Sequence, residues 1–431
     1  MKSKIILTMP TTSLSIQLSF VAVSNKACRG YALIRALGIT MFAILILAGA
    51  ASAAPFAYVM SPGNHSNGGT ISVIDTATNN VTTTILVGGN PCRFAATPDG
   101  TKIYVANSGL LSTTVFIIDI ATNTVTTMNA GDFPIGVAIN PAGTRVYVTN
   151  SESDEVSVIG TSTNTVIDTL NAGIDPWAIA VNPDGTKIYV TNRRSNTTSV
   201  IDAATNNIIS TVSVGNLPIE VAVNPDGIKV YVVNARSNNV SVIDTVTNNV
   251  TTTIPVGSYP LGVAVNLDGT KVYVANREDN SVSVIETVTN SVTTTIPVGT
   301  HPSGVAVNPD GTKVYVANYD SDNVSVIDIA TNNVIATVNV GYHPTRVAFG
   351  HFIDSNVTNQ SIRITSNATE DIGAEETNIS SSEENEELNN SSNSNSESDN
   401  GGKPSKTNST PGFGLLGSLT CLYGGWKLRK K

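Results

Sequence analysis

Residues 302–341 read PSGVAVNPDGTKVYVANYDSDNVSVIDIATNNVIATVNVG. Four short, β-branched apolar runs alternate here with turn residues such as Pro-Asp-Gly-Thr and Thr-Asn-Asn. Val, Ile, Thr and Tyr favour a pleated sheet, whereas Asp-Gly and Asn-rich stretches favour turns. The stretch therefore predicts four antiparallel strands joined as a meander.

The same unit recurs along the chain with a period of about 42 residues. The tyrosine of its Tyr-Val-x-Asn motif stands at Tyr104, Tyr147, Tyr189, Tyr231, Tyr273 and Tyr315, and a degenerate first copy contains Tyr58. Four strands repeated at this spacing are typical of the blades of a β-propeller.

The two ends of the repeat region are complementary. The strand that begins with Pro occurs seven times, at Pro91, Pro134, Pro176, Pro218, Pro260, Pro302 and Pro344. The region begins with a Tyr-Val strand and ends with a Pro strand, so the two incomplete ends make one blade. Circular closure removes the free edges that an open stack exposes. We predict an all-β fold, a seven-bladed β-propeller over residues 54–350 that is closed by its termini. The alternative is a linear solenoid, which does not need complementary ends.

Residues 1–53 are predicted to be a signal peptide with an extended leader. The apolar stretch 39–53 follows Arg29 and Arg35 and ends in Ala-Ser-Ala, the small residues of a cleavage site. This stretch is short for a membrane span, which needs roughly 20 residues. An uncleaved N-terminal anchor is the alternative.

Residues 351–410 are predicted to be a disordered, acidic stalk rich in Ser, Asn and Glu. Ten acidic side chains and no Lys or Arg lie between residues 370 and 400. Such a segment cannot bury enough apolar surface to offset its ordering entropy. On an exported chain, glycosylation is expected at the Asn-x-Ser/Thr sites of the stalk, which are Asn356, Asn359, Asn367, Asn378, Asn389, Asn390 and Asn408.

Residues 411–431 are predicted to be a C-terminal sorting or membrane-anchor segment. Pro411-Gly412-Phe413 precedes an apolar run and a basic end. The segment resembles the archaeal PGF-CTERM signal. That resemblance implies removal of the tail and attachment to the membrane through a lipid. Retention of the tail as a membrane anchor is the alternative.

Charge and cysteine content exclude several classes of protein. The chain has 33 acidic and 24 basic residues, for a net charge of −9. Nucleic-acid binding needs clustered Lys and Arg, so we expect no nucleic-acid partner. Cys92 is the single cysteine of residues 54–350, which excludes a disulfide framework or a thiolate metal cluster there.

The repeats resemble the YVTN family of β-propellers, found in archaeal proteins of the surface-layer type, over about residues 55–350. The resemblance implies an extracellular propeller with a structural or adhesive role. It also implies that the Pro strand is innermost and lines the central channel. Similar propellers occur in lactonase-like enzymes and in quinone-cofactor dehydrogenases, so the fold alone leaves the function open.

Binding residues are expected where single blades depart from the repeat around one mouth of the channel. Two positions after each Pro, where Gly or Ala is usual, stand Arg93, Glu220 and Arg346; one position before it stand Asp175, His301 and His343. Arg93 and Arg346 lie in blades that become neighbours on closure. With the two His nearby they would bind a carboxylate, a sulfate or an acidic glycan. The alternative is that these groups are solvated or pair with Glu220 and Asp175.

No catalytic motif is found in the sequence. Neither His-Glu-x-x-His nor Gly-x-Ser-x-Gly occurs, and there are four His. We therefore expect no catalytic residues, no cofactor and no metal site. The predicted function is that of a cell-surface propeller, anchored to the membrane, with envelope proteins or surface glycans as partners. The alternative is an extracellular, lactonase-like hydrolase or lyase acting at the channel mouth.

Overall fold

The computed structural model describes residues 4–7, 16–19, 56–63, 68–109, 111–122 and 124–350. The predicted stalk and tail, with their glycosylation sites, and most of the predicted leader lie outside the described residues. Within the unit Met1–Pro55, strands β1 (Lys4–Leu7) and β2 (Ile16–Ser19) form an antiparallel pair. The described residues include no helix that is both long and apolar enough to cross a membrane.

Residues 56–350 form seven four-stranded antiparallel blades. In chain order the strands are β3 (Phe56–Ser61), β4 (Thr70–Asp75), β5 (Asn80–Leu86), β6 (Pro91–Ala96), β7 (Lys102–Asn107), β8 (Thr114–Asp119), β9 (Thr124–Asn129), β10 (Pro134–Ile139), β11 (Arg145–Asn150), β12 (Glu155–Gly160), β13 (Thr165–Asn171), β14 (Pro176–Val181), β15 (Lys187–Asn192), β16 (Thr197–Asp202), β17 (Asn207–Ser213), β18 (Pro218–Val223), β19 (Lys229–Asn234), β20 (Asn239–Asp244), β21 (Asn249–Pro255), β22 (Pro260–Val265), β23 (Lys271–Asn276), β24 (Ser281–Glu286), β25 (Ser291–Pro297), β26 (Pro302–Val307), β27 (Lys313–Asn318), β28 (Asn323–Asp328), β29 (Asn333–Asn339) and β30 (Arg346–Gly350). A 3-10 helix, Tyr319–Ser321, lies between β27 and β28.

Blade 1 joins the two ends of this region. Its strand order is β30-β3-β4-β5, whereas blades 2 to 7 each use four consecutive strands, beginning at β6, β10, β14, β18, β22 and β26. In blade 1, β30 pairs antiparallel with β3 from Phe56 opposite Gly350 to Met60 opposite Arg346. The predicted all-β, seven-bladed propeller closed by its termini is therefore confirmed.

The core lies between neighbouring blades. The tyrosine of every Tyr-Val strand is at most 1% exposed, which makes these seven rings the largest fully buried side chains of the described residues. Tyr104 donates its hydroxyl hydrogen to Asn164 Oδ1 of the next blade at 2.7 Å, and Tyr315 donates to Asn79 Oδ1 at 3.1 Å. The aromatic residue of the repeat thus packs one blade against the next.

The buried tyrosines predict a stability loss at alkaline pH. Burial raises the pKa of Tyr104, Tyr189, Tyr231 and Tyr273 to about 12, from an ordinary value of 10.0. Because the unfolded chain loses these protons first, their contribution to the free energy of unfolding is complete below pH 10 and falls as the pH rises towards 12. We expect absorbance at 295 nm to show that these four tyrosines keep their hydroxyl protons at pH 10.5 in the folded protein. Ionisation of all the tyrosines near pH 10, with native near-ultraviolet circular dichroism retained, would contradict this packing.

In five blades, a basic residue at the start of the second strand bonds the neighbouring blade. Lys229 Nζ donates to the carbonyl oxygen of Thr287 in the next blade at 2.8 Å, and Arg145, Lys102 and Lys187 bond the next blade in the same way. Lys313 of blade 7 donates to the Thr76 carbonyl of blade 1 at 2.8 Å. This last bond spans the closure of the ring.

The Asn that ends the Tyr-Val strand in six of the seven blades organises the loop before the Pro. In blade 6, Asn276 Nδ2 donates to Ser281 Oγ at 3.1 Å and to Ser283 Oγ at 2.9 Å. Its Oδ1 accepts the backbone N–H of Gly257 at 3.1 Å. One fully buried amide therefore links three segments of the same blade.

Candidate functional site

Side chains of the innermost strands fill the central channel in successive layers. The residues directly after the seven Pro are at most 7% exposed, and five of them, Cys92, Ile135, Trp177, Ile219 and Leu261, belong to one apolar cluster. Four residues further along, the innermost strands carry partly exposed side chains. The apolar layer therefore closes the channel on the side of the Pro loops, and water enters from the side of the Asp-Gly turns.

The next layer contains the three charged residues predicted for the channel. Arg93 Nη1 donates to both carboxylate oxygens of Glu220, at 2.6 and 2.7 Å, and its Nη2 donates to the Ile219 carbonyl at 2.7 Å. Arg346 Nη2 lies 3.0 Å from Glu220 Oε2. The side chains of Arg93, Glu220 and Arg346 are 8%, 14% and 17% exposed. Two guanidinium groups thus share one carboxylate inside the channel, a charge-assisted arrangement with one net positive charge.

Seven-fold closure explains why Glu220 meets both arginines. Arg346 lies on β30 of blade 1 and Arg93 on β6 of blade 2, while Glu220 lies on β18 of blade 5. In a ring of seven, blade 5 faces the junction of blades 1 and 2. The carboxylate therefore reaches across the axis to the arginines of two adjacent blades.

Glycines fill this layer in three other blades because the strands approach closely. A Cβ at Gly136 would lie 2.6 Å from the Trp177 carbonyl oxygen, and one at Gly262 would lie 2.4 Å from the Ser303 carbonyl oxygen. Both distances are shorter than van der Waals contact. Glycine at these positions lets the backbone of the next blade approach closely.

The space left beside the charged residues is small. A cavity of about 140 Å³ lies against Arg93, Glu220 and Arg346, with apolar residues such as Val137 and Val305 on its wall. Small-molecule sites generally have volumes of ~300–1,000 Å³. The cavity suits a few water molecules or a small anion.

The two histidines lie outside the channel, in the Pro loops of blades 7 and 1. His301 Nδ1 contacts Asp320 Oδ2, and His343 Nε2 lies 3.6 Å from Asp320 Oδ1. The ring of His343 is stacked between Tyr319, at 4.1 Å, and Tyr342, at 3.7 Å between centroids. Burial lowers the pKa of His343, although Asp320 acts in the opposite direction. The histidines are thus bound to an acidic residue of the neighbouring loop.

Asp175 lies at a third location, in the Pro loop of blade 4, apart from both the charged layer and the histidines. Its Oδ2 accepts a bond from Arg193 Nε at 2.7 Å and lies 3.3 Å from Arg194 Nε. The Arg193 guanidinium lies 3.9 Å from the ring centroid of Trp177 in the apolar layer. Burial raises the pKa of Asp175 despite the opposing effect of Arg193. The group is a buried ion pair that supports the closed side of the channel.

The expectation that all six residues surround one mouth is therefore corrected. The structure brings Arg93, Glu220 and Arg346 together, as the ion-pair alternative predicted for Glu220, and places the histidines and Asp175 elsewhere. The residue before each Pro and the residue two positions after it are separated by the layer of residues that directly follow the Pro. The sequence pattern did not reveal this separation. Ligand binding by these residues stays a prediction.

Sequence reasoning missed the partners contributed by the loops after the Tyr-Val strands. Arg193, Asp320 and Glu278, which lies 3.7 Å from His301 Nε2, all stand within the four residues after the motif Asn. The sequence of these loops varies from one blade to the next, and this variation is the signal that could have identified them. Among the residues that the structure describes, no three His, Cys, Asp or Glu side chains are placed to hold a metal ion.

This architecture defines a seven-bladed β-propeller protein, and two family models match parts of it. A model described as Choice-of-anchor I domain matches residues 46–220, and one described as YNCE-like beta-propeller matches residues 264–353. The propeller assignment is thus supported by sequence as well as by structure. No curated protein matches the chain.

Solved structures show the same fold at low identity. A functionally unknown protein from Desulfotomaculum acetoxidans has 19% identity and a TM-score of 0.60, with 69% of this chain and 99% of that chain covered. A proposed 6-phosphogluconolactonase from Bacteroides fragilis has 16% identity and a TM-score of 0.59, covering 70% and 99%. At these identities the likeness concerns the fold alone.

Proposed function

We propose that this chain is an exported, membrane-anchored cell-surface protein of the surface-layer type, whose propeller has a structural, adhesive or ligand-binding role and no catalytic one. The observation that carries the proposal is the internally paired charge of the channel. Glu220 is held by both arginines, so it is not available as a general base. The adjoining cavity of about 140 Å³ leaves little space for a substrate.

The surface location is supported by the family match and by the sequence. The Choice-of-anchor match begins at residue 46 and extends into blade 5. A signal peptide before residue 54, a glycosylated stalk over residues 351–410 and a tail resembling the archaeal PGF-CTERM signal would place the propeller away from the membrane. Envelope proteins or surface glycans are the partners that such a location offers.

Processing of both ends tests the location. We expect mass spectrometry of the mature protein, isolated from the surface of its host, to find no peptide before about residue 54 and none beyond Phe413. Peptides from blades 1 to 7 serve as the internal control for coverage. Recovery of an intact Trp426–Lys431 end would instead support a retained anchor, and recovery of the protein only from the cell interior would overturn the proposal.

A lactonase-like hydrolase or lyase is the competing function, suggested by the fold shared with the Bacteroides fragilis protein. The purified protein is expected to hydrolyse gluconolactone no faster than buffer does. Saturable hydrolysis that is lost in the Arg93→Met/Arg346→Met variant would establish the competing function and exclude a purely structural role.

A further inference from the structure

The charged layer of the channel, formed by Arg93, Glu220 and Arg346, has its cavity on one side. Glu220 of blade 5 meets arginines of blades 1 and 2 in this layer. Blades 6 and 7 contribute Gly262 and Gly304, so no side chain from these two blades enters the channel there. Both glycines line the cavity of about 140 Å³ together with the three charged residues. The cavity therefore extends along blades 6 and 7, beside the ion group.

The lining of the cavity carries one positive charge that no residue of the lining neutralises. The lining residues all belong to the innermost strands, which lie within the described part of the chain, and only Arg93, Glu220 and Arg346 among them are charged. Two guanidinium groups and one carboxylate leave one net positive charge. Because these side chains are largely buried, water screens that charge only in part. A monovalent anion would neutralise the layer, whereas a divalent anion would reverse its charge.

The guanidinium groups also have hydrogen-bond donors that Glu220 does not use. Arginine has five N–H groups, and Arg93 makes three hydrogen bonds, two to Glu220 and one to the Ile219 carbonyl oxygen. Its Nε is buried and has no hydrogen-bond partner among the described residues. Buried donors without a partner are uncommon and indicate a place where an acceptor is missing. The layer can therefore donate hydrogen bonds to a second carboxylate.

The wall next to the charged layer is apolar, on the side of the channel that water enters. Six of the seven residues that stand three positions after the Pro line the cavity, namely Phe94, Val137, Ile179, Val263, Val305 and Val347. One buried water needs ~10–15 Å³ of cavity volume, so a cavity of about 140 Å³ accommodates an anion of about four or five non-hydrogen atoms together with some water. An acidic glycan exceeds this size.

We infer that the charged layer binds a small aliphatic monocarboxylate, such as acetate or propionate. A guanidinium group donates parallel hydrogen bonds to the two oxygens of a carboxylate, as Arg93 does to Glu220. The short alkyl part of the ligand would contact Val263, Val305 and Val347. Sulfate would leave a net negative charge in a site largely removed from water, which is unfavourable. The inference rests on the proposed ligand-binding role of the propeller and names the class of ligand for it.

Calorimetric titration of the purified full chain tests the inference. The probes are the sodium salts of formate, acetate, propionate and hexanoate, with chloride and sulfate as comparisons, all at the same ionic strength. We expect saturable binding of acetate or propionate that is at least tenfold tighter than binding of sulfate or hexanoate. Because the ligand binds the folded state, the melting temperature should rise with its concentration.

Three variants connect this binding to the charged layer. Arg346→Met removes the net positive charge and leaves the pair of Arg93 and Glu220, so it should weaken binding at least tenfold. Glu220→Gln leaves both guanidinium groups without their carboxylate, so it should strengthen binding at least threefold, and the ligand should restore part of the lost melting temperature. Arg236→Met removes a positive charge from an exposed loop residue and should leave binding unchanged.

The two channel variants are expected to shift binding in opposite directions, which a general loss of folding cannot produce. Absence of saturable binding, tighter binding of sulfate or hexanoate, or equal binding by wild type and Arg346→Met would each overturn the inference. The titration measures binding alone, so its failure is distinguishable from a failure of the surface location or of the non-catalytic role. Mass spectrometry and the lactone assay measure those two separately.

Discussion

Deleting residues 344–350 should lower the melting temperature by at least about 10 °C. This segment contains β30, the innermost strand of blade 1, and its removal exposes the edge of β3 along five paired residues. It also removes Val347, 8% exposed, and the hydrogen bond from Thr345 N–H to the Met60 carbonyl. Losses of about 5 kcal/mol are expected from this burial and pairing, and ~2 °C per kcal/mol holds for proteins of this size.

Two controls separate ring closure from the effects of a shorter chain. Truncation after residue 354 removes the predicted stalk and tail and should leave the melting temperature almost unchanged, because it removes no part of the core. A synthetic peptide of residues 344–354, added to the deleted protein, should restore part of the lost stability by pairing with β3. An unaltered melting temperature in the deletion variant would exclude closure by the two ends.

Glu220→Gln is expected to have the second-largest effect, a loss of about 3 kcal/mol in the free energy of unfolding. The substitution leaves the guanidinium groups of Arg93 and Arg346 in the channel without their shared carboxylate, at side-chain exposures of 8% and 17%. Removing one member of a buried ion pair generally costs about 3–5 kcal/mol, and the lower value applies here because some water reaches the channel. Urea unfolding, with the slope compared between variants, measures the loss.

A matched pair of variants tests this account. Glu278→Gln removes an acid that lies 3.2 Å from Arg277 but is 48% exposed, so it should change stability by less than about 0.5 kcal/mol. The triple variant Arg93→Met/Glu220→Leu/Arg346→Met replaces the whole ion group by apolar side chains of similar size and should be close to wild type. Equal effects of the Glu220 and Glu278 variants would show that the channel charges are solvated.

The charged layer of the channel occurs where three blades depart from the repeat. The opposite charges of Arg93, Glu220 and Arg346 pair across the channel axis, so these departures from the repeat stabilise the ring.

The fold and the blade count could be predicted from the sequence because both depend on local chemistry. Strand propensity and turn residues act within each 42-residue copy, and the complementary ends, Tyr58 and Pro344, determine how the ring closes. The candidate residues were also recognisable, since each departs from its repeat position. Which of these residues lie close together could not be predicted, because it depends on the position of each side chain along the channel axis.

The seven-fold repeat of antiparallel strands follows from local sequence patterns, whereas the contacts between residues that depart from that repeat depend on the assembled ring. Glu220 reaches Arg93 and Arg346 because blade 5 faces the junction of blades 1 and 2. In the blades of the two histidines, the buried residues Ser303 and Thr345 directly follow the Pro and come between each histidine and the charged layer. Ring closure brings together residues that lie more than a hundred positions apart in the sequence. It is a property of the whole fold, so no local sequence pattern specifies these contacts.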